Sequence, residues 1–308
     1  MIKRTLYFGN PAYLSFKNKQ LLIDIKADEP NNIEARQTRI AIEDIGVVML
    51  DHGQITITQP LLNALLENNT ALISCDARHM PMGLWLPLEG HYTQQERFEA
   101  QINASLPLKK QLWAQVIEQK LINQGAVLQH QNKNYKYLYE LAKNVKSGDI
   151  ENAEGHGAAY YWKNIFDFEF PFKRDRDGEP PNNLLNYGYA ILRAITARSL
   201  VGSGLLPTLG IHHANKYNAY CLADDMMEPY RPFVDKIVLE LIEEGEQLDY
   251  LSKEIKKSLL SIATIDVHID MQKSPLMIAL QRTTASLAKC YEGTQKKLLL
   301  PSFIVHDT

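Results

Sequence analysis

Gly90-His91-Tyr92-Thr93 marks the point where this 308-residue chain changes character, and the fold is read outward from it. On its N-terminal side, short β-like segments recur. Residues 5–8, 13–16 and 20–25 are separated by the turn-forming Asn10-Pro11 and Lys17-Asn18-Lys19, and residues 39–42, 46–50, 55–58 and 71–75 continue the pattern. Gln54-Ile55-Thr56-Ile57-Thr58 alternates polar and apolar residues, as a half-buried strand does. Residues 60–68 spell one short helix instead, with Pro60 near its start and Leu61, Leu62, Leu65 and Leu66 on one side.

On the C-terminal side the apolar period becomes helical. Residues 107–124 place Leu112, Val116, Ile117 and Leu121 on one face. Further helices are predicted over 96–104, 135–145, 154–166, 184–200, 219–245, 249–262 and 275–291. Asn182 or Asn183 would cap the helix that starts at 184, and Gly202 would close it. The reading is an α+β, multidomain chain: a β-rich N-terminal domain, residues 1–90, followed by a larger all-α C-terminal domain, residues 91–308.

Composition limits the function classes. Hydrophobic residues make up 45% and charged residues 22%, which suits a globular protein with a real core rather than a disordered one. The net charge of −3 carries no global signature of a nucleic-acid partner, so any such surface must be local. Residues 97–146 hold eight Lys/Arg against three Glu, and residues 232–250 hold six acids against one Lys. These are either two solvated helix faces of opposite sign, or a basic DNA-facing surface with an acidic one turned away from it. Cys75, Cys221 and Cys290 are far apart and form no CxxC pair, which argues against a disulfide framework or a cysteine-built zinc site. No apolar run reaches the roughly 18 residues of a membrane span, and a reducing cytoplasm is the expected compartment.

Three segments carry residues suited to chemistry: residues 153–162, with Glu154-Gly155-His156-Gly157 near the start, Leu209-Gly210-Ile211-His212-His213, and residues 224–232, which open Asp224-Asp225-Met226-Met227-Glu228-Pro229. On a regular helix Asp224, Asp225 and Glu228 lie at i,i+3 and i,i+4 spacings that share a face. Such carboxylates form either a solvated acidic surface or an oxygen-rich site for Mg²⁺ or Mn²⁺. Pro229 and Pro232 predict a special local backbone shape there. His212 and His213 follow a Gly/Pro-punctuated loop, where an imidazole is well placed as ligand or acid/base group. Glu154, near a helix start, could equally complement the helix dipole. Spacing alone does not bring the three segments together. No P-loop, GxGxxG, HExxH or GxSxG is present.

In order along the chain stand Glu154-Gly155 with Ala158 and Trp162, then Asn183-Leu184-Leu185-Asn186-Tyr187-Gly188-Tyr189, then Gly204-Leu205-Leu206-Pro207 with Leu209-Gly210-Ile211-His212-His213, then residues 225–234. Jointly these resemble the CRISPR-associated integrase family, the Cas-one proteins, most closely its type II branch. The resemblance implies a metal site of Glu154, His213 and Glu228 holding Mg²⁺ or Mn²⁺, with His212 the runner-up imidazole and Asp224 or Asp225 the alternative third ligand. It implies an endonuclease and integrase: a 3′-hydroxyl of a captured DNA fragment attacks a phosphodiester at the repeat border of a CRISPR array. Binding through a neutral imidazole implies activity that falls at acid pH. It also implies a homodimer formed through the β domain, a heterohexameric complex with the small Cas-two partner, and double-stranded DNA along a basic surface. Lys109, Lys110, Lys120, Lys143 and Lys146 are the candidate phosphate contacts. Tyr187 is a candidate DNA contact, although Tyr187 and Tyr189 also read as packing aromatics of one helix. The other readings are a structure-selective nuclease using the same site and a non-catalytic DNA-binding scaffold.

Overall fold

Residues 3–25, 35–168 and 172–303 are described by the computed structural model, and the polypeptide separates into two units, 1–90 and 91–308. The first unit holds two four-stranded sheets. One has the order β1 (Arg4–Phe8), β5 (Ile45–Leu50), β7 (Ala71–Cys75), β8 (Pro81–Trp85). Its first three strands are parallel and β8 is antiparallel to β7. The other has the order β4 (Arg36–Ala41), β3 (Gln20–Ile25), β2 (Ala12–Lys17), β6 (Ile55–Ile57). Helix α1 (Gln59–Glu67) contributes Leu61 and Leu65 to the same core as Leu14, Leu21, Ile45, Val48 and Leu72, so a single apolar cluster joins both sheets and the helix. The alternation read at residues 54–58 is present, with Ile55 and Ile57 half-buried and Thr56 exposed. Strand β8 escapes the sequence reading because Pro81-Met82-Gly83 looks like a turn. A Cβ at Gly83 would lie 2.3 Å from Ser74 Oγ on the paired strand, so a side chain there would need the serine hydroxyl to turn aside.

The second unit is built on α3 (Leu106–His130). Ser105 caps it, its hydroxyl accepting from Leu108 N, with proline in the first turn. Leu112, Trp113, Val116, Ile117, Lys120, Leu121, Gln124 and Leu128 form its buried face. Preceding it is α2 (Gln94–Ile102), and α4 (Lys136–Lys143) and α5 (Ala153–Asn164) pack against it. Helix α6 (Asn182–Gly202) is packed by α7 (Cys221–Met227), α8 (Arg231–Glu243), α9 (Lys253–Leu260) and α10 (Leu276–Tyr291).

Three local expectations change. Neither Asn182 nor Asn183 caps α6. The helix starts at Asn182, whose amide instead accepts from Arg174 and Asp175 N and donates to Lys173 O and Glu179 O, tying down the preceding loop. The helix read over 219–245 is broken into α7, a 3₁₀ turn (Glu228–Tyr230) and α8, because Pro229 cannot donate to the helical ladder. Asn123 on α3 donates to the carbonyl of Pro229 at this break (2.7 Å). The helical unit also contains a hairpin, β9 (Asp266–Ile269) and β10 (Gln272–Pro275). None of the three cysteines is in a disulfide, and among the described residues no helix is long and apolar enough to cross a membrane.

Ile117 is fully buried on α3. Replacing it with alanine is expected to lower the unfolding free energy by about 2–5 kcal/mol in a urea titration, through lost burial and an unfilled cavity. A loss below about 1 kcal/mol would mean that this face is not a packed core.

Candidate active site

Glu154 is the second residue of α5, and its position follows from how that helix begins. Asn152 adopts the left-handed conformation (φ +55°) and its side chain accepts from Gly155 N. The Asp149 carboxylate accepts from Ala153 N (2.8 Å) and Glu154 N (3.0 Å), satisfying helix-start donors that would otherwise lack partners. Glu228 opens the 3₁₀ turn made by Pro229 and is 4% exposed. The two carboxylates come from different elements and meet at one cation. Lys120 Nζ of α3 lies 2.8 Å from Glu154 Oε1 and 2.7 Å from Glu228 Oε2. Arg231 Nε lies 2.9 Å from the other oxygen of Glu228. Burial pushes the Glu228 carboxyl upward in pKa, but Arg231, Lys120 and His213 outweigh it and hold the group below its ordinary value. Burial likewise works against the Lys120 ammonium, and the charges of Glu228 and Glu154 outweigh it and raise its pKa.

His213 is fixed by Asp225. One carboxylate oxygen accepts from Ile211 N (2.7 Å) and His212 N (3.0 Å), and the other from His213 N (3.3 Å), while His213 Nδ1 lies 2.5 Å from it. The Asp225 hydrogen bond raises the imidazole pKa, burial opposes it, and the charges of Asp225, Glu228 and Glu154 add to the rise. With Nδ1 engaged by a carboxylate, Nε2 is the ring nitrogen left for a ligand. Gly210 makes the close approach possible, since a Cβ there would sit 2.3 Å from His213 O and 2.8 Å from Asp225 Oδ2. His212 lies flat on Trp113, ring centroids 4.2 Å apart and planes within 1°, and Trp113 also meets the edge of His213.

The break in the helix sets Glu228 apart from Asp224 and Asp225, which both lie on α7, and the three carboxylates have different partners. Asp224 is held by Arg193 (2.6 Å) and by Asn218 (2.7 Å), Asp225 by the histidine loop, and Glu228 by Lys120 and Arg231. Of the alternatives for a third carboxylate, only Glu228 shares a cation with Glu154. Two predicted DNA contacts are misplaced. Lys120 is 7% exposed and committed to the two carboxylates, and Tyr187 is fully buried in α6, so neither presents a surface to a duplex. Lys110, Lys143 and Lys146 are exposed and Lys109 is half-buried. The Lys110 stem lies over Gly148, next to Lys146, which pairs with Glu151, while Lys143 pairs with Glu140.

Sequence reasoning missed the parts played by Lys120, Arg231 and Asp225. Lys120 was legible in the spacing, being four residues after Val116 and three after Ile117 on the buried face.

Beside the carboxylates is a cavity of about 200 Å³ lined by Lys120, Gln124, Trp162, Arg174, Tyr189 and Asp235, among others. Two carboxylates within 3 Å of one cation, with an imidazole whose second nitrogen is engaged, form a donor set suited to a hard divalent ion. Among the described residues no three such donors already close around a single point. Their fit to a metal therefore rests on the convergence of Glu154 and Glu228.

Asp235 receives hydrogen bonds from Tyr161 (3.0 Å) and Tyr189. Burial pushes its carboxyl up to about 7, only partly opposed by the two hydroxyls, Arg231 and Arg174. The folded state thus keeps a proton that the unfolded chain releases near pH 4, and the associated stability is lost as pH rises through about 7. Urea titrations are expected to show the wild type gaining roughly 1 kcal/mol more than Asp235→Asn between pH 8 and pH 6. Equal gains would show that Asp235 does not titrate in this window.

A sequence model of the family described as CRISPR associated protein Cas1 matches residues 6–264. The chain is 35% identical to the CRISPR-associated endonuclease Cas1 of Neisseria meningitidis serogroup C, over 99% of this chain and 97% of that one. It is 30% identical to the CRISPR-associated endonuclease Cas1 2 of Pyrobaculum aerophilum, over 83% and 92%. Two solved structures share the fold. A casposase bound to its integration product gives a TM-score of 0.77 at 21% identity, covering 97% of this chain and 92% of that one. A CAS1 protein from Thermotoga maritima gives 0.70 at 15% identity, covering 99% and 100%.

Proposed function

The chain belongs to the CRISPR-associated Cas1 family, and from that premise we propose that it is a metal-dependent DNA integrase and endonuclease of CRISPR adaptation. It would insert foreign DNA fragments into a CRISPR array by 3′-hydroxyl attack on repeat-border phosphodiesters. The observation that carries this reading is the meeting of Glu154 and Glu228 at a single cation position, with His213 held beside them by Asp225. Glu154, Glu228 and His213 would hold Mg²⁺ or Mn²⁺. Such an ion, when bound, neutralises charge on a transferring phosphate and favours an in-line displacement. The chain's own residues do the rest. Asp225 fixes which imidazole nitrogen faces the site, Arg231 holds Glu228, and Trp113 backs the histidine loop.

Lys109, Lys110, Lys143 and Lys146 are the proposed phosphate contacts, positioning a duplex without reading its sequence. A homodimer through the β-rich unit, joined to a small Cas2 partner in a heterohexamer, is the proposed assembly. Cas1 and Cas2 occur together in a solved Cas6-RT-Cas1–Cas2 complex, of which this chain resembles one part (TM-score 0.69, 19% identical, covering 99% of this chain and 36% of that one).

The test is strand transfer. Purified protein with its small partner is given a labelled duplex with 3′-hydroxyl ends and a supercoiled plasmid carrying the repeat. Joined label is expected with Mg²⁺ or Mn²⁺ and none with chelator. Glu154→Ala, His213→Ala and Glu228→Ala should each lower joining by about a hundredfold or more, since each removes a proposed metal ligand. Released nicked product without joining would favour a structure-selective nuclease. Intact DNA binding with neither product would mean a non-catalytic scaffold.

A further inference from the structure

Lys120 is an unusual neighbour for a proposed metal site. It already supplies the positive charge that Glu154 and Glu228 need, at 2.8 and 2.7 Å, from a nearly buried position. A divalent ion between the same carboxylates would place two cations together, and like charges at such range repel strongly when buried. The ammonium must therefore leave before the ion can settle, and the question is where it can go.

The surrounding structure offers a destination. Lys120 and Gln124 are one turn apart on α3 and line the same cavity of about 200 Å³. Gln124 is 3% exposed, and its Oε1 has no hydrogen-bond partner among the described residues. A buried acceptor without a donor is uncommon in a folded protein and marks a place where a donor is expected. Asp235 lines the same cavity, and the lysine stem has the rotatable bonds to swing its head by a turn of helix.

We propose that Lys120 is an exchangeable counter-cation: it bridges Glu154 and Glu228 while no divalent ion is bound, and moves along the cavity to Gln124 Oε1 when one enters. The lysine holds the two carboxylates together in the metal-free protein and sets the threshold for metal entry. It acts on the metal through the carboxylates and is a positioning residue.

The inference rests on the metal reading of the site, and the experiment separates the two. Mn²⁺ is titrated calorimetrically into the full-length wild type, Lys120→Met and Gln124→Leu, and each metal-free protein is melted. Lys120→Met is expected to bind Mn²⁺ about tenfold tighter or more, because nothing has to be displaced, while melting at a lower temperature without metal. Gln124→Leu is expected to bind Mn²⁺ more weakly with its metal-free melting temperature unchanged or raised, since only the destination is lost. Equal or weaker binding by Lys120→Met would overturn the competition. Unchanged binding by Gln124→Leu would overturn the movement, a water then being the partner of Oε1. If Lys120→Met does not fold, the Gln124→Leu result still decides. No Mn²⁺ heat in the wild type with binding in Lys120→Met would support the inference in its strongest form. No heat in either protein would sink the metal reading and the inference with it.

Discussion

A carboxylate buried among helices must be answered by a cation, and the helical unit is arranged around that demand at Glu228. Lys120 reaches it from α3 and Arg231 from the first turn of α8. Because Lys120 also meets Glu154, one charge ties together α3, α5 and the turn between α7 and α8. These elements therefore cannot shift independently without leaving a charge unpaired in the interior. The core face of α3 does the complementary work, with Trp113, Ile117 and Leu121 packed on either side of the lysine.

The second constraint is the break at Pro229. A continuous helix would set Glu228 beside both Asp224 and Asp225, with a repulsion between them. Asp224 and Asp225, consecutive on α7, already point different ways, and the 3₁₀ turn takes Glu228 out of that helix, so the three have different partners: a surface arginine, a loop of backbone N–H groups, and the buried lysine. Asn123 satisfies the Pro229 carbonyl at the break, so the distortion leaves this buried acceptor paired.

Much of this was legible in the sequence. The period change at Gly90-His91-Tyr92-Thr93 gave two segments of different class, and the spacing of Leu112, Val116, Ile117 and Leu121 gave the central helix and its buried side. Pro229 and Pro232 announced a special backbone shape, though not where each carboxylate would turn. Lys120 was read by its charge as a surface contact, when its place in the helical period put it inside. Asp225 could not be assigned from spacing, because its partners lie on a loop twelve to fourteen residues earlier whose fold depends on that same carboxylate. Strand β8 was hidden by residues that usually form turns.

Asp225 grips the histidine loop almost wholly through main-chain N–H groups, and every non-proline residue carries one. The grip is therefore indifferent to side-chain identity at residue 211 or 212, provided neither is proline, and exacting only at Gly210, Asp225 and the histidine that is held. A lineage could change the side chains beside the His213 imidazole while the main-chain fastening that holds the imidazole stays in place. The loop is thus fastened by its main chain and packed by its side chains, with Ile211 in the core and His212 on Trp113, so a change at either position alters the packing and leaves the fastening as it is.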